Sequence, residues 1–207
     1  MNKLPQKILC FVTPSLPIEE KYIPFIEFTK YAIDGGVNMI QIRDKNISIN
    51  LLEKFSERIY QIAGKEICIM INSEFPSNAT HISGTHFPEK INVSKFLPLP
   101  KNKLYGQSVH SINSAINSEK NKLDYIIAGS VYKSQSHPNG ISSGTKLIKN
   151  ISNRTNIPII AIGGITEQNA EAVIKSGADG IALISEITKN KNPYLITKSL
   201  SKIIGIR

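Results

Sequence analysis

I-P-I-I-A-I-G-G-I-T-E-Q-N-A-E-A-V-I-K-S-G-A-D-G-I-A-L-I-S, residues 157–185, holds two short apolar runs separated by a Gly-Gly pair and one amphipathic segment. Residues 158–162 are short, β-branched and almost wholly apolar, the pattern of a strand covered on both faces in a parallel sheet. Gly163-Gly164 turns the chain. Thr166 reads as a helix cap and Glu167 as a first-turn carboxylate that suits the helix dipole. Ala170, Val173 and Ile174 form the apolar stripe, and Lys175-Ser176-Gly177 ends the helix. Residues 180–184 are the next strand, so the stretch is one strand–helix–strand unit. Its two turns, at Gly163-Gly164 and at Ser185-Glu186-Ile187, are places where exposed backbone N–H groups hold an anion. A plain tight turn is the other reading of the Gly-Gly pair.

The same alternation extends in both directions. Strands are expected at 8–13, 37–42, 67–71, 81–87, 103–108 and 123–128. Helices are expected at 18–34, 48–63, 111–120, 145–153 and 193–204, with a short helical piece at 76–79. Gly35-Gly36 and Gly64 end two of these helices, and Ser111 caps another. A long polar loop, 129–144, follows the sixth strand. No linker, low-complexity tract or clear repeat interrupts the series, so residues 1–207 are expected to form one domain. Strands alternating with helices mean a parallel sheet with helices outside, and eight such units predict a compact α/β fold, a (β/α)8 TIM barrel. A doubly wound open sheet is the alternative. It calls for a Gly-rich turn after the first strand, where this chain reads T-P-S-L-P.

Composition narrows the function classes. Hydrophobic residues make up 41% and charged residues 20%, which excludes a disordered chain. No apolar run approaches the ~20 residues of a spanning helix, and the first residues lack a signal-peptide pattern. Cys10 and Cys68 lie inside apolar runs and read as buried thiols in a reducing, cytoplasmic setting. The net charge of +9 is spread along the chain, without a basic stripe interleaved with aromatics. That pattern argues against a nucleic-acid partner and suits collection of phosphorylated small molecules.

Barrel active sites lie at the C-terminal ends of the strands. The polar residues there are Gln41, Arg43 and Lys45 after strand two, Asn72 after three, and His86 and Glu89 after four. They continue with Ser108 and His110 after five, Ser130 and Lys133 after six, Gly163-Gly164 after seven, and Ser185 after eight. Singly, each has a structural reading: His110 as a helix-start histidine, Arg43 and Lys45 as a salt-bridged rim. Gathered at one mouth they supply cations, an imidazole and a phosphate cradle, a set fit for proton transfer on a phosphorylated substrate.

Seven motifs in order carry a resemblance: Q-I-R-D-K (41–45), I-M-I-N (69–72), G-T-H-F-P-E (84–89), G-Q-S-V-H-S (106–111), L-D-Y-I-I-A-G-S-V-Y (123–132), I-I-A-I-G-G-I (159–165) and G-A-D-G-I-A-L-I-S (177–185). The chain resembles the thiamine phosphate synthase and TenI superfamily from about residue 8 to 190. The resemblance implies a homo-oligomer, a dimer, and a phosphorylated thiazole held by backbone groups of Gly163, Gly164, Ile184 and Ser185. Gln41, Arg43, Lys45, Asn72, Ser108, Ser130 and Lys133 fall on its substrate-contacting positions. Lys45 is the better match for a substrate carboxylate.

The superfamily has two branches. The synthase joins a pyrimidine pyrophosphate to a thiazole phosphate with Mg²⁺; the other branch aromatises a carboxylated thiazole phosphate by moving a proton. Synthase patterns place an Asp after the Asn of strand three, an Asp in the run after strand four, and Thr-Thr-Lys in the loop after strand six. Here Ser73 follows Asn72, Pro88 interrupts the second run, and the loop reads K-S-Q-S-H-P-N-G. The H-F-P and S-V-H-S forms are similar to the thiazole tautomerase branch, in which the histidine matching His110 is the acid/base. The expectation is therefore a metal-independent tautomerase with His110 catalytic, His86 structural, His137 a loop residue and no cofactor. The alternatives are a Mg²⁺-dependent thiamine phosphate synthase and a non-catalytic thiazole-phosphate-binding homologue.

Overall fold

The structure is a computed structural model that describes residues 3–15, 22–44, 46–133 and 142–206. Eight parallel strands close on themselves in sequence order: β1 (Ile8–Val12), β2 (Met39–Ile42), β3 (Cys68–Asn72), β4 (Gly84–Phe87), β5 (Leu104–Val109), β6 (Tyr125–Gly129), β7 (Ile159–Ile162) and β8 (Gly180–Leu183). Outside them lie α1 (Tyr22–Asp34), α2 (Ile49–Ala63), α3 (Ile112–Lys120), α4 (Gly144–Ser152), α5 (Ala170–Lys175), α6 (Ser185–Thr188) and α7 (Pro193–Ile204). This is the expected (β/α)8 barrel.

Strand side chains alternate between two cores. Leu9, Phe11, Ile40 and Ile42 point out to meet Phe55 and Ile59 of α2 and the other helices. Ile8, Cys10, Met39, Cys68, Met70 and Tyr125 fill the interior. Both thiols are buried as expected. Burial raises the Cys10 thiol far above its ordinary pKa and pushes Cys68 up to about 11, so both stay protonated.

A repeat that the sequence did not display holds the N-terminal end of the barrel. Each even-numbered strand is preceded by a short polar residue whose side-chain oxygen accepts an N–H from the strand before it. Asn38 Oδ1 accepts from Leu9 at 3.0 Å, Ser83 Oγ from Ile69 at 3.0 Å, Asp124 Oδ2 from Tyr105 at 2.7 Å and Asp179 Oδ2 from Ile159 at 2.8 Å. The residue ahead of each, Val37, Ile82, Leu123 or Ala178, is buried. The segments V-N-M-I, I-S-G-T, L-D-Y-I and A-D-G-I thus share one apolar–polar–strand pattern. This end of a barrel serves stability rather than chemistry. Asp124→Ala is expected to cost about 1.5–3 kcal/mol, since a bond to a carboxylate is lost and a strand N–H is orphaned. Asp124→Asn keeps an acceptor, as Asn38 does, and should cost clearly less in urea denaturation.

Three local expectations shift. Residues 76–79 are not helical: the Ser77 N–H donates to Thr85 Oγ1 (3.0 Å) and its hydroxyl to Glu53 Oε1 (2.5 Å), so the segment docks on β4 and α2 instead. His81 Nε2 reaches Ser56 Oγ at 2.6 Å and extends that docking. The fourth strand accordingly starts at Gly84, not at His81. The helix after β7 begins at Ala170, because the Asn169 side chain accepts the Thr166 N–H (2.9 Å) and donates to Gly164 (3.0 Å). Residues 18–21 of the expected first helix, Lys45, and 134–141 with His137 lie outside the described residues.

Candidate active site

Closing a parallel barrel brings every strand's C-terminal end to one mouth. Gln41, Arg43, Asn72, Ser108, His110, Ser130, Lys133, Gly163, Gly164, Ile184 and Ser185 all sit on or directly after those ends. Gln41 follows Met39 on the inward face of β2. It is 3% exposed, and its Oε1 has no hydrogen-bond partner among the described residues. A buried carbonyl oxygen left unpaired is costly, so it marks a place for a ligand donor. Arg43 is anchored through its backbone: its N–H donates to Thr13 Oγ1 at 3.0 Å. Its guanidinium forms no ion pair with another described residue. Lys133 is exposed and Asn72 half-buried.

The loops after β6 and β7 are laced together. Val131 N–H donates to Ile162 O and Tyr132 N–H to Gly163 O, both at 2.9 Å. Gly163 and Gly164 have φ of +109° and +59°, a region that favours glycine. A Cβ on Gly163 would lie 2.1 Å from Ser130 Oγ, and one on Gly164 2.3 Å from the Lys133 carbonyl. Both glycines are therefore required by backbone angle and by close approach. Ile184 and Ser185 open α6 beside this turn, and first-turn amides of a helix have no carbonyl of that helix to bind.

Two features at the mouth were missed in the sequence. First, His110 does not project into the interior. Its side chain is 63% exposed, and Glu89 clamps it: Oε1 accepts the His110 N–H at 2.9 Å and Oε2 lies 2.5 Å from Nδ1. Burial raises the Glu89 pKa, but the hydrogen bonds from His110 and Ser114 outweigh it, and the carboxyl sits below its usual range. A depressed carboxyl adds stability above its unfolded pKa of about 4.3 and loses it as pH falls through the folded value. Glu89→Gln should therefore lower Tm near neutral pH and flatten its decline below about pH 4.3; an unchanged acid limb in thermal melts would contradict the clamp. Second, His86 is fully buried and bonded to both Ser108 and Tyr125. His86 was expected to be structural; its partners on β5 and β6 were not readable from the sequence.

Comparison with known proteins bears on the two branches. A putative thiamine-phosphate synthase 2 from Aquifex aeolicus is 34% identical over 164 residues, covering 78% of this chain and 88% of that protein. A thiamine-phosphate synthase from Methanobrevibacter smithii is 28% identical over 201 residues, covering 94% and 93%. The solved thiamine phosphate pyrophosphorylase from Pyrococcus furiosus superposes with a TM-score of 0.79 at 26% identity, covering 96% of this chain and 95% of that one. These names overturn the tautomerase expectation and favour the synthase alternative. The tautomerase expectation rests on three departures from the synthase pattern and on the H-F-P and S-V-H-S forms. The structure ties His110 to Glu89 at the rim, where it does not single out proton transfer. The profile described as "Thiamine monophosphate synthase" matches residues 9–187, and the chain belongs to that family.

Proposed function

We propose that this chain joins a pyrimidine pyrophosphate to a thiazole phosphate at the barrel mouth, giving thiamine phosphate and releasing pyrophosphate. One C–N bond forms and one C–O bond breaks, and the leaving pyrophosphate carries off the electron pair. The observation that carries the reading is the set of uncommitted polar groups at one end of the barrel. The buried Oε1 of Gln41 lacks a donor, and Arg43 and Lys133 lack carboxylate partners among the described residues. Gln41 would accept from an amino group on the pyrimidine. The Gly163-Gly164 turn with Ile184 and Ser185 would hold the thiazole phosphate through backbone and hydroxyl donors, with Ser130, whose hydroxyl donates to the Tyr132 carbonyl, packed behind Gly163. Arg43 and Lys133, with Lys45 by its place in the sequence, would balance the leaving pyrophosphate. Asn72 and Ser108 would orient the reacting ends between them.

The resemblance implies Mg²⁺ for this reaction. Mg²⁺ calls for carboxylate oxygens in near-octahedral array. Glu74 is ion-paired with Lys90, Glu89 is taken up by His110, and Ser73 stands after Asn72. No group of three His, Cys, Asp or Glu residues that could hold a metal occurs among the described residues. These residues do not fit such a site.

The test is direct: incubate the chain with both substrates and detect thiamine phosphate, with Mg²⁺ titrated and with chelator. Product formation supports the reading, and its Mg²⁺ dependence reports how the leaving group is balanced. Saturating occupancy by both substrates with no product under any condition would sink it.

A further inference from the structure

Three polar side chains from three strands form a connected chain inside the barrel. Tyr125 Oη lies 3.1 Å from His86 Nδ1, and His86 Nε2 lies 2.9 Å from Ser108 Oγ. The two rings stack at 5.6 Å. Tyr125 and His86 are both 0% exposed, whereas Ser108 is half-buried near the mouth. The sequence prepares this arrangement: His86, Gly106 and Tyr125 are register partners on β4, β5 and β6. A Cβ on Gly106 would lie 2.2 Å from the Tyr125 ring, so the phenol reaches His86 only because β5 carries glycine there. Ser108 is two residues further along β5, on the same face and nearer the mouth.

The direction of the chain follows from its protons. A phenol has one proton to give, and in a closed interior it must find an acceptor. Among the described residues, the one partner of the Tyr125 hydroxyl is His86 Nδ1. That nitrogen must then be unprotonated. Burial, and then the charge of Arg43, push the His86 pKa down to about 3, so the imidazole is neutral and carries a single N–H. The proton is therefore on Nε2, where it donates to Ser108 Oγ, and the hydroxyl proton of Ser108 is left to point away from His86. The reverse order, with Ser108 donating to His86 as a nucleophile does to its base, would place the imidazole proton on Nδ1. It would then face the phenol oxygen and leave the buried phenol proton without an acceptor.

We infer that Tyr125 and His86 are positioning residues that fix Ser108 as a hydrogen-bond donor to an anionic substrate group in the barrel mouth. The identity of that group rests on the function proposed above; the direction of the hydrogen bonds does not. The experiment is long-range ¹H–¹⁵N spectroscopy of the whole chain with labelled histidine, from pH 5 to pH 9, the His86 signals being assigned by their loss in His86→Gln. The expected result is the Nε2–H tautomer in wild type across this range, retained in Ser108→Ala and mixed in Tyr125→Phe. Calorimetry with inorganic pyrophosphate as probe should show Kd raised on the order of threefold to tenfold in Tyr125→Phe, from misalignment of one hydrogen bond to the anion. A wild-type Nδ1–H tautomer overturns the inference. So does a Tyr125→Phe variant that changes tautomer while binding pyrophosphate as wild type does. A chain that orients His86 as described but forms no thiamine phosphate would refute the proposed reaction and leave the relay standing.

Discussion

Gly163→Ala is expected to lower stability by about 2–5 kcal/mol and to abolish capture of the thiazole phosphate. Two costs add at this position. The backbone has φ +109°, where an L side chain is strained. The new methyl would also sit 2.1 Å from Ser130 Oγ and 2.9 Å from Ser130 Cα, so rotating the hydroxyl away is not enough. Relief requires the loop after β6 to retreat, yet that loop is tied to β7 through Val131 and Tyr132, each bonded at 2.9 Å. The loop that must retreat backs the turn assigned to hold the phosphate. Urea denaturation reports the first effect and titration calorimetry with the thiazole phosphate the second. Ser130→Gly in the same chain should recover only part of the steric cost, since Cα of residue 130 remains, and none of the strain. An alanine variant that binds the phosphate normally would show that Gly163-Gly164 is only a turn.

Gly106→Ala acts one layer deeper. Its methyl would meet Tyr125 Cζ at 2.2 Å inside a closed barrel, where the ring has 0% exposure and no room to swing out. Overpacking of this kind costs typically about 1–3 kcal/mol, occasionally more. Because the ring is rigid, its displacement breaks the bond to His86 and shifts Ser108. Turnover in the coupling assay should fall by roughly tenfold or more, since a small misplacement of an orienting group is expensive. The mechanism predicts strong coupling. Tyr125→Ala should cost less in the Gly106→Ala background than in wild type, by about 0.5–3 kcal/mol. Strict additivity in that double-mutant cycle would mean that the glycine is present for some reason other than the ring.

The relation between these two sites and the sequence differs in kind. Gly163-Gly164 was visible at once, since a glycine pair between two apolar runs has few readings and its neighbours in the chain supply the context. Gly106 was visible as a letter in G-Q-S-V-H-S but silent in meaning. Its reason is the ring of Tyr125, 19 positions later, lying across the neighbouring strand. The bond between Glu89 and His110 is of the same kind. Read alone, His110 suggested an acid/base at a barrel mouth; joined to Glu89 at 2.5 Å, it is a rim residue with a fixed partner. The pairing of Glu74 with Lys90 likewise joins residues that no local pattern connects.

Periodicity by itself determined the fold of this protein: apolar runs of strand length, amphipathic segments of helix length and turn residues between them. These are local patterns with fixed periods, so strand ends, and with them the list of residues at the mouth, could be read from the chain. Only the tertiary structure decided which of those residues meet. The four clasps at Asn38, Ser83, Asp124 and Asp179, the relay from Tyr125 through His86 to Ser108, and the Glu89–His110 pair join residues 14 to 39 positions apart. Their contact depends on strand register and on closure of the sheet. Register is set by the packing of the whole interior at once, and no local stretch of sequence carries that information.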